Sequence, residues 1–335
     1  MIERIELQNF TAFKQLALDF SPGINLFIGK NGTGKTHLLK LLYTALSAQK
    51  GSRKKESFEQ ELIEVFLPYK RRIGRLAHRV AGSVTCQVHI TRNGEPLSFE
   101  FTNHSVDHVK KYHLQWTGEV GSAVYIPVKE MLADAPGFRS LYEERVLHIE
   151  KVYYDIVSKS FLPILRGPMS QDRRELLKLI EDVMQGKVRQ ENEHFFLENS
   201  SGDLEFTLLA EGIRKFGLLW LLIQNGTLLE GATLFWDEPE ANLNPSMVAT
   251  LIELLLKLQR HGVQIFIATH SYVVLREFDL QSTEKDALQY SNFIRNERDE
   301  IECVSGTSYE AIVPNAIAEA YAFIYDKEIV RSLRL

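Results

Sequence analysis

An eight-residue segment, Gly29-Lys30-Asn31-Gly32-Thr33-Gly34-Lys35-Thr36, constrains the fold of this chain more than any other. It matches the pattern G-x-x-x-x-G-K-[S/T] at every fixed position. Ile24 to Ile28 read as a short apolar strand before it. Behind it, Leu38, Leu39, Leu41, Leu42, Ala45 and Leu46 form a broad apolar helical stripe. In that order the glycines let the backbone curl so that its N–H groups point inward at phosphate oxygens, and the helix adds the positive end of its dipole. Gly29, Asn31, Gly32, Thr33, Gly34, Lys35 and Thr36 are therefore the candidate cradle for the phosphates of a nucleotide. Lys35 would reach the β- and γ-phosphates, and the Thr36 hydroxyl would ligate Mg²⁺.

The rest of the chain fits a strand–loop–helix core. Before the motif, Ile5 and Leu7, then Leu16, Leu18 and Phe20, alternate with polar neighbours, and Pro22-Gly23 marks a turn. A helix at 211–224, a strand at 232–236, a helix at 245–260 and a strand at 263–268 alternate near the other end, which implies a parallel sheet. Between them, Val84 to Phe101 reads as a hairpin around Asn93-Gly94, Ala123 to Val128 as a strand, and about 136–185 as charged helices broken at Pro163 and Gly167-Pro168. A chain of 335 residues predicts about two domains. The expected division is a split nucleotide-binding core, 1–50 and 195–335, around an inserted hairpin and helical lobe or lid, 51–194. No sustained heptad pattern predicts a long coiled coil.

Two further strand ends carry chemistry. Thr233 to Trp236 run apolar into Asp237 and Glu238. Asp237 at the strand tip would hold Mg²⁺ through water, and Glu238 would polarise the attacking water. The strand Val263 to Ala268 ends in Thr269-His270-Ser271, and the carboxyl end of a parallel strand is where open α/β sheets bind ligands. His270 is placed to hydrogen-bond the γ-phosphate and report its presence.

These segments together resemble the ABC-type ATPases, in the branch that holds the SMC, RecF and overcoming-lysogenization-defect ATPases. IERIELQNFTAFKQLALDFSPGINLFIGKNGTGKT looks like that branch's opening strands and phosphate loop, FWDEPEANLNP like its Walker B and D-loop, and ATHS like its switch histidine. The resemblance implies a P-loop NTPase of α/β class, with a mixed sheet, N-terminal antiparallel strands and an inserted helical lobe. It also implies a head-to-tail dimer with ATP between subunits, and Asn242, Leu243 and Asn244 at the subunit boundary. Leu209 to Lys215 occupy the place of the signature sequence, with Gly212 as the glycine that brings a helix N-terminus to a partner's γ-phosphate. Ala210 stands where the family has serine, so hydrolysis is expected to be slow or to need a trigger. Glu130 is the candidate for the usual Q-loop glutamine, and Phe13 and Lys14 lie on the turn where related proteins contact adenine.

Function follows as a set of alternatives. One is the ATPase of a bacterial anti-phage defence system, acting on a separate nuclease or toxin. Only 65 residues follow His270, too few for a fused Toprim nuclease (335 − 270 = 65). The others are a RecF-like DNA-binding ATPase in repair and an ATP-gated scaffold that hydrolyses little. Net charge is −5, so any nucleic-acid contact needs a local patch. Lys70, Arg71, Arg72, Arg75 and Arg79, with Tyr69 for stacking, supply one. His104, His108 and His113 read as a solvated, loosely helical segment, not a metal site. Two cysteines, Cys86 and Cys303, an N-terminus without a signal-peptide core and the lack of a membrane-length apolar run predict a cytoplasmic protein with no membrane partner. The C-terminal helix, from Pro314 to about Ile329, is expected to dock through Ile317, Tyr321, Ile324 and Tyr325.

Overall fold

Period-two alternation opens the chain. In β1 (Ile2–Phe10), Ile2, Ile5, Leu7 and Phe10 are buried, and in β2 (Phe13–Asp19) Phe13, Leu16 and Leu18 are. The computed structural model describes residues 1–51, 55–145 and 147–333. β3 (Ile24–Gly29) is buried along its whole length, as a central parallel strand must be, and leads through the glycine-rich turn into α1 (Lys35–Gly51). α2 (Lys55–Phe66), the hairpin β4 (Thr85–Arg92) and β5 (Glu95–Thr102), then β6 (Lys110–Leu114) and β7 (Ala123–Ile126) follow. Three helices, α3 (Phe138–Glu144), α4 (Lys151–Ser160) and α5 (Gln171–Met184), precede a small meander of β8 (Lys187–Glu191), β9 (His194–Asn199) and β10 (Gly202–Glu205). The last third is α6 (Glu211–Gln224), β11 (Thr233–Asp237), α7 (Pro245–Arg260), β12 (Gln264–Thr269), α8 (Tyr272–Gln281), β13 (Leu288–Arg295), β14 (Ile301–Gly306) and α9 (Ala316–Ser332).

The strands form three sheets. A six-stranded sheet, in the order β14-β13-β3-β12-β11-β7, is parallel from β13 to β7, with β14 added antiparallel at one edge. An antiparallel sheet runs β2-β1-β4-β5-β6, and β10-β9-β8 forms the third. Because successive side chains face opposite sides, the parallel sheet divides two cores. Leu26, Ile28, Leu234, Trp236, Ile265 and Ile267 pack with α5, α6 and α7 on one face. Phe27, Tyr125, Phe235, Phe266 and Ala268 pack with α1 and the antiparallel sheet on the other. This is the α/β fold, with mixed sheet and N-terminal antiparallel strands, that the sequence predicts.

The segment 51–194 contributes to both large sheets. Its hairpin joins β1 through β4, and β7 pairs with β11 in the parallel sheet. A division at residue 50 therefore runs through two sheets. Two local expectations are corrected. Residues 110–114, which include His113, are a strand, because pairing with β5 satisfies their backbone as helix would. The C-terminal helix exposes Tyr321, Ile324 and Tyr325 and buries Ile317 alone, anchored by a Tyr321–Tyr272 ring stack at 4.6 Å. No helix among the described residues is long and apolar enough to cross a membrane.

Candidate functional site

The glycine-rich turn has the backbone that only its sequence allows. Gly34 sits at φ +93°, and a Cβ there would lie 2.7 Å from the Phe13 ring. Gly29, at φ +144°, would meet the Phe293 carbonyl at 2.5 Å. The Lys35 ammonium folds back over the turn and donates to the carbonyls of Gly29 (2.7 Å) and Lys30 (3.0 Å). Burial pushes its pKa down, against the opposing pull of Glu238, Asp237 and Glu240. Thr33 closes the turn onto the Lys30 carbonyl, while Asn31 and Gly32 face solvent. Arg295, at the end of β13, donates to the Gly32 carbonyl at 3.2 Å.

Parallel register brings the second cluster to the same edge. β11 pairs with β12 so that Asp237 lies beside Ala268, and the next residues of both strands emerge together at their carboxyl ends. Asp237 accepts from the Thr36 hydroxyl (3.2 Å) and from the Tyr125 hydroxyl on β7 (3.3 Å). Burial raises its pKa. Glu238, held at φ +49°, lies 3.1 Å from His270 Nδ1, and both are partly exposed. A hydroxyl and a carboxylate on either side of one position, over a helix N-terminus, form a hard-oxygen donor set that suits Mg²⁺. Glu240 accepts from the Thr269 hydroxyl at 2.6 Å and from the His270 N–H at 3.4 Å.

The start of α6 packs on the loop that follows β11. Gly212 is buried with Leu243 Cδ1 3.0 Å from its would-be Cβ, and Asn242 donates to Glu211 at 2.9 Å. Lys215, only 3% exposed, donates to the Ala241 carbonyl. One residue earlier, Arg214 forms an ion pair of 2.7 Å with Glu130, whose side chain is 1% exposed.

Among the expected residues, Lys35, Thr36, Asp237, Glu238 and His270 gather at one edge of the parallel sheet. Gly212, expected to serve a partner's nucleotide, packs in its own chain against Leu243. Phe13 departs from expectation: it is fully buried, its ring against Gly34 and 5.7 Å from Phe293, and presents no face to an adenine. Lys14 is exposed and pairs with Glu300 at 2.6 Å. Glu130 binds Arg214 and the Leu132 N–H, so its carboxylate serves the α6 helix. Lys70, Arg71, Arg75 and Arg79 are exposed, Arg72 less so, with Tyr69 67% exposed beside Lys70. His108 lies 3.3 Å from Glu59, and no group of three or more metal-ligating side chains occurs among the described residues. Sequence reasoning missed Tyr125, Lys215 and Glu240. Tyr125 had a signal, since it stands on the predicted strand before Glu130.

Comparison with known proteins agrees with this geometry. The family described as "AAA domain, putative AbiEii toxin, Type IV TA system" matches residues 89–276, and the one described as "AAA ATPase domain" matches residues 1–112. The DNA replication and repair protein RecF of Streptococcus suis (strain 05ZYH33) is 25% identical over 219 residues, 56% of this chain and 57% of that protein. RecF of Oceanobacillus iheyensis is 32% identical over 127 residues, 38% of this chain and 31% of its own. The chain thus spans about half the length of the first of these relatives. Among solved structures, an SMC head bound to the C-winged helix domain of ScpA has a TM-score of 0.54 at 15% identity, covering 92% of this chain and 98% of that one. The SMC head with an extended coiled coil, bound to the C-terminal domain of ScpA derived from Pyrococcus furiosus, also scores 0.54, at 11% identity over 100% and 99%. Phosphate loop, paired carboxylate and histidine, sheet order and these matches converge: the chain belongs to the AAA-domain family whose model matches residues 89–276, with the fold of the SMC heads and a partial likeness to RecF.

Proposed function

We propose that this chain is an Mg²⁺-dependent ATPase that closes as a head-to-tail homodimer around ATP and gates a separate effector, a nuclease or toxin, in cytoplasmic anti-phage defence. The observation that carries the ATPase reading is the bridge from Thr36 to Asp237 at 3.2 Å beside Lys35. Lys35 is buried and held by two carbonyls, so a triphosphate entering the turn exchanges weak acceptors for charged ones. Bound Mg²⁺ would neutralise charge on the β- and γ-phosphate oxygens. Thr36 and Asp237 hold the metal side of the site. Glu238 takes a proton from the attacking water, and His270, 3.1 Å away, orients that carboxylate and senses the γ-phosphate. The α6 N-terminus of a second copy, around Gly212, closes the site. Ala210 supplies no hydroxyl there, which favours slow or triggered turnover.

The effector reading draws support from the toxin-system description of the matched family. A second reading, RecF-like nucleic-acid binding, is favoured by the exposed run Lys70, Arg71, Arg75 and Arg79 with Tyr69, and by the names of the relatives.

A pull-down of Glu238→Gln with Mg²⁺ and ATP, with co-purifying molecules identified, tests both. A stoichiometric protein supports the effector reading. Nucleic acid alone, released by salt, supports the RecF-like one and is lost on charge reversal at Arg71, Arg72 and Arg75. Tight ATP binding with near-zero turnover in the unmodified chain marks a scaffold. Undiminished ATP binding by Lys35→Ala sinks the assignment of the phosphate loop.

A further inference from the structure

Lys215 is a buried cation with no carboxylate in hydrogen-bond reach among the described residues. It is 3% exposed on α6, and its ammonium donates to two backbone carbonyls, Ala241 and, at 3.5 Å, Pro239. An apolar residue of similar length would fill the same space without the cost of taking a charge out of water. What the ammonium does that a methyl cannot is to hold the loop after β11 at two points.

That loop is a hub. It begins at Asp237 and Glu238, and two of its residues, Glu238 (φ +49°) and Asn242 (φ +57°), adopt left-handed backbone that non-glycine residues rarely take. Between them, Glu240 takes the Thr269 hydroxyl and the His270 N–H, so the loop is tied to the segment carrying the histidine. On the other side it meets the start of α6, through Asn242 to Glu211 and Leu243 against Gly212. Lys215 lies one helical turn beyond these contacts and reaches the stretch between the two strained residues. Glu211, Glu240, Glu130 and Glu238 all exert a favourable field on its charge.

We infer that Lys215 is a positioning residue that locks the start of α6 to the 239–242 loop, so that a displacement of that helix is delivered to Glu238 and His270 in the same chain. This rests on the ATPase reading for its consequence, though not for the lock itself. Where a second copy's nucleotide docks against the α6 N-terminus, the two sites of a dimer become coupled through the Lys215–Ala241 contact. Without the ammonium each site keeps its nucleotide cradle, because Lys215 touches none of it, but no longer responds to its neighbour.

The test uses the full chain with Lys215→Met, which keeps the length of the side chain, and Lys215→Arg, which keeps the charge and donors. Hydrogen–deuterium exchange without nucleotide reads the lock directly. Lys215→Met should raise exchange at 240–243 and 269–271 by tenfold or more and leave the phosphate loop unchanged, with Lys215→Arg close to the unmodified chain. With Mg²⁺ and ATP, Lys215→Met should bind nucleotide within threefold of the unmodified affinity while the Hill coefficient of turnover falls to one. Unchanged exchange at 240–243 in Lys215→Met overturns the lock. Altered exchange with an unchanged Hill coefficient overturns the coupling. Failure of the unmodified chain to bind ATP condemns the ATPase reading and leaves the exchange result to decide the lock. If Lys215→Met fails to fold, loss of the same protection in Asn242→Ala with Lys215 intact overturns the assignment to Lys215.

Discussion

The Thr36 hydroxyl lies 3.2 Å from Asp237 Oδ1, across 201 residues of sequence. One residue lies in the first turn of the helix behind the phosphate loop and the other ends a strand two places away from β3 in the sheet, with β12 and β3 fixing the gap between them. Neither side chain makes a metal site alone. The sheet register brings the two together, and the proposed Mg²⁺ site is tested at this pair. Asp237→Asn keeps the shape and the Thr36 contact but removes the charge. Mg²⁺-dependent ATP affinity should fall by about 10- to 100-fold. Affinity measured in EDTA should hardly change. Calorimetric titration with and without Mg²⁺ separates the two, and an equal loss in both conditions would count against Asp237 as the metal residue.

Glu238 and His270 stand 3.1 Å apart at the carboxyl ends of neighbouring strands. A base positioned for water contributes about 10²- to 10⁴-fold to such a reaction. Glu238→Gln should therefore lower ATP turnover by at least 10²-fold and trap an ATP-bound dimer, seen as a doubling of mass by light scattering. Single-turnover hydrolysis at the unmodified rate would sink the assignment.

Phe13 lies under Gly34 and touches Phe293, so it belongs to the core and not to a base-binding face. Phe13→Ala should cost about 3–5 kcal/mol in urea unfolding, the range for emptying a buried aromatic site. Under native conditions its ATP affinity should stay within a fewfold of the unmodified chain and its preference for ATP over GTP should be unaltered. A specific loss of ATP over GTP, with stability intact, would restore the adenine reading.

Arg214 and Glu130 join the second turn of α6 to the loop after β7, 2.7 Å apart, with Glu130 1% exposed. Burial raises the Glu130 pKa, and the Leu132 N–H and Arg214 oppose that rise. Removing one partner leaves the other buried and unpaired, at a cost of about 3–5 kcal/mol. Arg214→Met and Glu130→Leu should each lower stability by about that much. The double variant should lose less than their sum, and a double-mutant cycle in urea that came out additive would show the pair to be energetically inert.

What the sequence makes legible here is what is local. The phosphate loop, its helix and the strand ends at Asp237 and His270 are each specified within a few residues, by glycine, by apolar run length and by the residue that ends the run. The contacts that join them are not. Lys215 meets Ala241 across 26 residues and Arg214 meets Glu130 across 84 (214 − 130 = 84), and nothing in either segment's periodicity announces the partner. Phe13 fails for a different reason: the same alternating aromatic serves a turn facing a base or a turn packed on a glycine, and only the approach of Gly34 decides. His113 was lost to tertiary pairing, since β6 is a strand only because β5 offers it an edge. The C-terminal helix carries apolar residues that signal packing, yet Phe323, Ile324 and Tyr325 remain exposed in the single chain.

Asp286 sets the entry to β13, the strand that ends beside the phosphate loop at Arg295. Its carboxylate accepts from Arg260 through two bonds of 2.7 Å, from Gln259, and from the Thr283 N–H and hydroxyl. Burial by itself would raise its pKa, but the Arg260 and Thr283 bonds outweigh it and hold the carboxyl below its usual value. A carboxyl depressed in the folded chain binds fewer protons there than when unfolded. Its contribution is therefore present above the unfolded value, near 4, and fades as pH falls through the folded one. Asp286→Asn keeps the shape and loses the charge. It should cost about 1 kcal/mol at pH 7, below the usual range for charged hydrogen bonds because Arg260 is partly exposed and screened. The gap between variant and unmodified chain in urea midpoint should narrow as the pH drops below about 4. A gap that stays constant from pH 7 into that range would mean that the charge of Asp286, and hence its pairing with Arg260, contributes nothing to holding α7 against the start of β13.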